Sequence, residues 1–329
     1  MTTGVIATTD NLDCVMQIDQ QTDTQHERVR LPVVASLLAL GSGVVWSLGI
    51  VTARKADSTD AFQYLIWRSI GVIVVVEAIG LWRRQPGRMF IAWRSGRVMA
   101  IANLGIFLAS IAFVYAVKTT TPANAAFLSS LTPLVAMVFA TFLGERLTRS
   151  TIIALAVGIA GLVVTVFGDL DAGNMKGNVA AFASSVGFAM YATCVRTDQR
   201  RDWSPVLAGY CALMVVVCSV ITLANGRKLF PPAIDITYAF VHGAVLIVAG
   251  TLMFNEASKH VPTVPMTVFT QTEMAFAPLW GIMLLDLHPK GWTLVGGAII
   301  FTAVVGKAAY DSTHGVPRDF VAVPDVPLL

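Results

Sequence analysis

The stretch 141-TFLGERLTRS-150 decides the fold, because it places Glu145, Arg146 and Arg149 between two long runs that are almost free of charge. A weaker copy, 282-IMLLDLHPKG-291, follows 141 residues later in the chain. Two charged hairpins, each ending an apolar run and separated by a fixed interval, indicate an internally repeated unit. The apolar runs on either side of them show what kind of unit is repeated.

The composition is that of a membrane protein. Of the 329 residues, 55% are hydrophobic and 13% are charged, whereas soluble domains carry about 25% charged residues. Uncharged runs of roughly 18 to 22 residues recur along the chain, which is the length that crosses a bilayer as a helix. These runs are continuous and lack the alternation that a barrel wall requires. The sequence therefore predicts an all-α integral membrane protein.

The apolar runs predict ten transmembrane helices. Their ranges are 32–53, 61–82, 97–117, 121–143, 150–168, 177–196, 205–224, 238–258, 262–285 and 291–310. They form two five-helix units, 32–168 and 176–310, between a disordered cytoplasmic tail at 1–31 and a second cytoplasmic tail at 311–329. Four dispersed cysteines do not suggest a metal cluster, and we expect no cofactor.

The orientation in the membrane follows from the basic residues in the connections. With both ends of the chain inside, the inner segments hold fifteen Lys and Arg residues and the outer connections hold seven. Cytoplasmic connections carry this excess in membrane proteins. Arg54 and Lys55, which fall on an outer connection, run against the trend. We expect a multi-pass protein of the inner (plasma) membrane with both termini in the cytoplasm.

An offset of 141 residues aligns the two units. Lys118 then lies over Lys259, and Glu145 lies over Asp286. Because each unit has five spans, an odd number, the second copy is inverted in the membrane. Inverted repeats are typical of secondary transporters, whose substrate site lies near the bilayer midplane between the halves.

Three motifs resemble the drug/metabolite transporter superfamily, and specifically its EamA-like transporter family. The run 130-SLTPLVAMVFATFLGERLT-148 resembles that family's fourth span, 46-WSLGIVTARKA-56 its first and 62-FQYLIWRSI-70 its second. The resemblance covers residues 32–310, and it departs from the family pattern where Met274 replaces an expected Pro. It implies ten helices in two tandem repeats and alternating-access movement of small organic metabolites, often outward.

The function predicted from these features is secondary-active transport of an amino acid, an amine or a drug-like solute, as an export protein. Its expected partners are the solute, the lipid bilayer and protons, with no nucleic acid, and the chain would act as a monomer or a homodimer. The alternative is an intramembrane enzyme acting on a lipid. No H-E-x-x-H or G-x-S-x-G motif supports that alternative, so we do not expect an enzyme.

Glu273 is the first candidate site residue, because an ionisable group in the ninth predicted span is costly and requires a reason. At helical spacing, Phe269 and Trp280 share its face, and such a face suits an organic cation. Protonation of Glu273 could couple transport to the proton gradient, or the carboxyl could simply be held neutral by a polar neighbour. Arg68 in the second span either binds a substrate carboxylate or extends to the outer headgroups.

Polar and aromatic side chains also alternate along one face of other predicted spans, as a central cavity requires. The candidates are Ser42 and Trp46 on the first span, Asn103, Phe107 and Ser110 on the third, and Phe188 and Tyr191 on the sixth. Packing of the helix bundle explains each of these residues equally well.

Overall fold

The computed structural model describes residues 33–142, 149–167, 175–198, 201–259, 269–270 and 272–314. No strand occurs among them. The helices are α1 (Val33–Lys55), α2 (Ala61–Trp82), α3 (Arg88–Arg94), α4 (Arg97–Thr119), α5 (Pro122–Ser129), α6 (Thr132–Phe142), α7 (Arg149–Phe167), α8 (Met175–Thr197), α9 (Pro205–Ala224), α10 (Ala233–Val241), the π-helical segment His242–Ile247, α11 (Val248–Ser258), α12 (Thr272–Leu285) and α13 (Gly291–His314). The predicted tails at 1–31 and beyond 314 lie outside the described residues.

Six helical runs are long and apolar enough to cross a bilayer, by length and composition. They are α1, α2, α4, α8, α9 and the run Ala233–Ser258 that joins α10, the π-helical segment and α11. The other four predicted spans contain shorter apolar helical stretches: Asn124–Phe139, Ile152–Gly161, Phe276–Leu285 and Gly291–Ala303. The protein is therefore a multi-pass membrane protein.

The fourth predicted span is not one continuous helix, because it breaks between α5 and α6. Pro133 has no N–H to donate to the carbonyl of Ser129, so the regular helical bond is missing there. The hydroxyl of Thr132 donates to that carbonyl instead, at 2.8 Å. Satisfying the freed group in this way allows a helix break inside a membrane protein.

The eighth predicted span differs from its prediction at its start and in its middle. It begins at Ala233, five residues before the predicted start at 238, and contains the π-helical segment. Gly243, in that segment, packs against the carbonyl of Arg68 so closely that a Cβ atom would overlap it. The predicted start of the ninth span, residue 262, lies outside the described residues.

Helices α2 and α9, which hold equivalent positions in the two repeats, run antiparallel. At the start of α2, the Gln63 side chain donates to the Lys228 carbonyl just beyond the end of α9, at 2.7 Å. Beyond the other end of α2, Arg88 pairs with Asp202 before α9, at 2.9 Å. Burial opposes ionisation of Asp202, but hydrogen bonds from Ser204 and the pairing with Arg88 outweigh it and lower the pKa of Asp202.

Close approach of small residues brings α4 and α8 together, also antiparallel. A Cβ atom on Gly105 would lie 2.9 Å from the carbonyl oxygen of Gly187. One turn away, the Ser184 hydroxyl donates to the carbonyl of Ala109 at 2.9 Å. Small residues and interhelical hydroxyl bonds hold helices together where apolar lipid removes the hydrophobic driving force.

Helix α1, from the first half of the chain, runs beside α12 from the second. The Thr272 hydroxyl donates to the Leu40 carbonyl at 2.8 Å, and the Trp280 indole donates to the Ser47 hydroxyl at 2.9 Å. The residue numbers of the contacts increase in the same direction along both helices, so the two helices are parallel.

Helices α5 and α8 form the matching parallel pair. The amide of Asn124 lies 3.5 Å from the side-chain oxygen of Asn178, and the Ser129 hydroxyl donates to the Ala181 carbonyl at 3.3 Å. Helices from the two halves are thus interleaved around one centre, where the cavity described next lies.

Candidate functional site

A cavity of about 140 Å³ lies where helices of both halves converge. Its described polar lining consists of Arg68, Ser110, Ser129, Ser130, Thr132, Ser184, Tyr210, His242, Thr251, Thr270 and Glu273. Its apolar lining consists of Trp46, Ile106, Ala109, Phe113, Ala126, Phe188 and Ile247. A concave surface that combines apolar side chains with convergent polar groups is the usual form of a small-molecule site.

Arg68 on α2 is the buried cation of this cavity. The residue is 2% exposed, and its guanidinium donates to the Ser110 hydroxyl while Nε has no hydrogen-bond partner. No described carboxylate lies within 4.0 Å of it. Burying a charge without a counter-charge costs several kcal/mol. The guanidinium therefore has donor capacity left for an anionic group in the cavity.

Glu273 is the carboxyl group of this cavity, and the structure changes its place in the helix. The sequence placed it near the middle of the ninth span, whereas it lies in the first turn of α12. Its N–H donates to the Thr270 carbonyl at 3.1 Å, and no described cation pairs with its half-buried side chain. A carboxylate is favoured near a helix N-terminus, where backbone N–H groups are unpaired.

The starts of α6 and α12 lie at equivalent positions of the repeat. Thr132 begins α6 and Glu273 lies in the first turn of α12, and the offset of 141 residues places one over the other. Both residues line the cavity. The N-termini of two helices therefore open onto the same space, which favours negative charge there.

Trp46 and Phe188 contribute aromatic rings to the apolar part of the lining. The rings of Trp46 and Phe188 lie 5.7 Å apart at 84°, an edge-to-face arrangement, and Phe254 packs against both. Gly250 makes room for the indole of Trp46, since a Cβ atom there would overlap it. Aromatic faces of this kind bind flat apolar groups and organic cations.

Five of the eleven predicted site residues line the cavity: Trp46, Arg68, Ser110, Phe188 and Glu273. The other six do not belong to its described lining: Ser42, Asn103, Phe107, Tyr191, Phe269 and Trp280. Helical spacing assigned these side chains to the correct helices. It could not tell which of two buried faces of a helix meets the cavity.

Bonds elsewhere in the bundle explain the positions of several of the six. Asn103 donates to the Met99 carbonyl at 2.8 Å, and the Tyr191 hydroxyl donates to Asn255 at 3.0 Å. The Trp280 indole bonds to Ser47, as described above, and the Ser42 hydroxyl bonds to a carbonyl of its own helix at 2.7 Å. Hydrogen bonds of this kind, within a helix or between helices, stabilise helix packing.

His242 is the most important cavity residue that the sequence placed elsewhere. From the sequence, His242 is expected to be a group at the outer end of the eighth predicted span (238–258), but the residue is 3% exposed and lines the cavity. The reason is the earlier start of that span together with its π-helical segment, which changes which side faces inward. The hydroxyls of Ser129, Ser130 and Thr132 were also missed, although the Thr-Pro step beside them marks the helix break.

Comparison with known proteins gives one family. The model of the EamA-like transporter family matches residues 33–167 and again residues 175–307. No curated protein matches the chain significantly in sequence. One solved crystal structure of another protein aligns over 84% of this chain and 95% of that chain, with 20% sequence identity and a TM-score of 0.61. At that identity the likeness supports the fold alone.

Proposed function

Because this chain belongs to the EamA-like transporter family, we propose that it is a secondary-active transporter that moves a small organic metabolite by alternating access. One observation carries the proposal. A cavity between the two repeats brings together a buried cation, Arg68, and the carboxyl group of Glu273, with no described counter-charge for either. Uncompensated charges inside a membrane protein are expensive, and they mark substrate and ion pathways.

The proposed architecture is ten transmembrane helices in two inverted repeats, residues 32–168 and 176–310. The antiparallel pair α2 and α9 supports inversion, because these helices are equivalent in the two repeats. The first predicted span with the ninth (α1 with α12) and the sixth with the fourth (α8 with α5) also form parallel pairs, and these pairs of spans exchange under the repeat. A two-fold axis in the membrane plane would relate both sets of contacts.

Accessibility labelling tests this topology. Arg84 follows α2 and Lys228 follows α9, so an inverted repeat places them on opposite sides of the membrane. With the native cysteines replaced, Arg84→Cys should react with an impermeant maleimide only from the cytoplasmic side and Lys228→Cys only from the outside. Labelling of both positions from the same side contradicts the inversion. Both termini in the cytoplasm and an inner (plasma) membrane location belong to the same proposal.

Among amino acids, amines and drug-like solutes, the cavity favours a solute that carries both charges. Arg68 and the two helix N-termini suit a carboxylate, and the Glu273 carboxylate suits an ammonium group. Trp46 and Phe188 provide aromatic surface for the remainder of the solute. Outward movement and proton coupling complete the proposal, and Glu273 is the group proposed to carry the proton.

A matched set of three labelled solutes tests the substrate class in proteoliposomes. The set is an aromatic α-amino acid, the amine that lacks its carboxylate and the acid that lacks its ammonium group. We expect the amino acid to be transported with at least about tenfold preference, since a lost charge-assisted hydrogen bond costs about 1.5–3 kcal/mol. Equal transport of all three solutes contradicts the charge assignment. Failure to transport any of a wider metabolite panel contradicts the transporter proposal itself.

A further inference from the structure

A chain of hydrogen bonds leads from the cavity into the first two helices. Nδ1 of His242 lies 2.7 Å from the Tyr64 hydroxyl. That hydroxyl lies 2.9 Å from Oγ1 of Thr52, which in turn lies 2.9 Å from the carbonyl oxygen of Gly49. Tyr64 and His242 are both buried, so water does not compete for these groups.

The far end of the chain determines the direction of every bond in it. The Gly49 carbonyl can only accept, so Thr52 must donate its single hydroxyl proton to it. Thr52 can then only accept a hydrogen bond from Tyr64, and this bond uses the single proton of the Tyr64 hydroxyl. The Tyr64 oxygen is left to accept, and Nδ1 of His242 is the remaining donor. The chain therefore places the proton of the imidazole on Nδ1.

With the proton on Nδ1, Nε2 of the neutral ring carries a lone pair. In the described part of the chain no group forms a hydrogen bond to Nε2. The ring lines the cavity beside Arg68. The part of the ring that carries Cε1 and Nε2 also packs against Gly49, because a Cβ atom there would lie 2.7 Å from Cε1 and closer still to Nε2.

The position of the ring is fixed as firmly as its tautomer. His242 opens the π-helical segment, and the next residue, Gly243, packs directly on the backbone of Arg68. Insertions of π-helix are frequent at functional sites, where they re-aim side chains. Arg68 already supplies hydrogen-bond donors to the cavity. An acceptor next to it allows the same surface to bind both an acceptor and a donor of a polar solute.

We propose that His242 is a specificity-determining residue whose Nε2 accepts a hydrogen bond from an N–H or O–H group of the bound solute. Thr52 and Tyr64 act as positioning residues that hold the imidazole in the Nδ1–H tautomer. The role of Nε2 in solute selection rests on the proposed transport function, whereas the tautomer is a property of the protein alone.

Thr52→Val should change the tautomer of His242 without changing the cavity lining. Thr52 does not line the cavity, and valine has nearly the same shape as threonine. Without Oγ1, the Tyr64 hydroxyl has only Nδ1 of His242 to donate to. We expect the proton to move to Nε2, which reverses the hydrogen-bonding character of the group facing the cavity. The matched control is Thr193→Val, whose hydroxyl makes only a bond to the Ala189 carbonyl in its own helix.

Nitrogen-15 NMR of histidine-labelled protein measures the tautomer without any solute. The signal that disappears in His242→Asn belongs to His242 and should show Nδ1–H in the unmodified protein and in Thr193→Val. In Thr52→Val it should show Nε2–H. An Nε2–H tautomer in the unmodified protein, or no change in Thr52→Val, overturns the proposed hydrogen-bond chain.

Transport of the three-solute set tests the second half of the proposal. For the best-transported solute, Thr52→Val should raise KM by roughly 10- to 100-fold, because a donor of the solute then faces a donor of the protein. Thr193→Val should leave KM within about twofold. An unchanged KM in Thr52→Val with a switched tautomer removes His242 from solute selection but leaves the transporter proposal intact. Absence of any transport by the unmodified protein overturns the transporter proposal while the NMR result still stands.

Discussion

Glu273→Gln should reduce transport of an ammonium-bearing solute by about 10- to 100-fold, because a neutral amide replaces the carboxylate that faces the cavity. Glutamine keeps the size of the side chain, so the helix and the cavity should persist. The measurement is the initial rate of labelled solute uptake into proteoliposomes at several concentrations. The loss should be largest for the amino acid and the amine, and smallest for the acid that has no ammonium group.

Glu256→Gln is the matched control for the Glu273 prediction. Glu256 pairs with Lys259 at 2.6 Å on an exposed helix end, and such pairs contribute at most about 1 kcal/mol. Its transport rate should therefore equal that of the unmodified protein. The same vesicles test proton coupling, since an imposed pH gradient should change the rate in the unmodified protein and not in Glu273→Gln. Unchanged transport of every solute in Glu273→Gln rejects Glu273 as a site residue.

Arg68→Met should reduce transport of carboxylate-bearing solutes by about 100-fold while leaving the free energy of unfolding within about 1 kcal/mol of its original value. Methionine retains most of the apolar stem, and it removes a buried charge that has no described counter-charge. The gain from removing that charge offsets the lost bond to Ser110. The measurements are uptake rates for the amino acid and the amine, and thermal unfolding in detergent.

Arg88→Met provides the contrasting case, a buried arginine that is paired. Arg88 is 3% exposed and bonds to Asp202 and Ser204 outside the membrane-spanning helices. Its removal should destabilise the protein by about 1–3 kcal/mol and leave the KM of every solute unchanged, because it does not line the central cavity. Loss of stability in Arg68→Met as large as in Arg88→Met, with unchanged uptake, would show that Arg68 has only a structural role.

The sequence predicted the kind of protein and the order of its parts. Long uncharged runs can only be satisfied as helices in lipid, so composition and run length were sufficient to identify a multi-pass helical protein. The charged hairpin at Glu145 and Arg146 and its later copy were sufficient to reveal the repeat and the family. These features are local in the chain, and they do not depend on how the helices pack.

Charge identified two of the five predicted residues that line the cavity. Arg68 and Glu273 stood out because charge is rare within apolar runs, and both line the cavity. Asn103 and Tyr191 were predicted from the spacing of polar and aromatic side chains along their spans, yet they bond to groups within the bundle. A polar side chain in lipid must find a partner, and the sequence does not show whether that partner is another helix or a solute.

The membrane class, the repeated unit and the family were thus determined by the sequence itself, because hydropathy and charge act over short stretches of chain. Only the tertiary structure decided that the fourth span breaks before Thr132, that Glu273 lies in the first turn of a helix, and that His242 faces the cavity. Each of these depends on small rotations and interruptions of a helix. A proline without its N–H or a π-helical segment turns the face that meets the centre, and only contacts between distant parts of the chain fix that face.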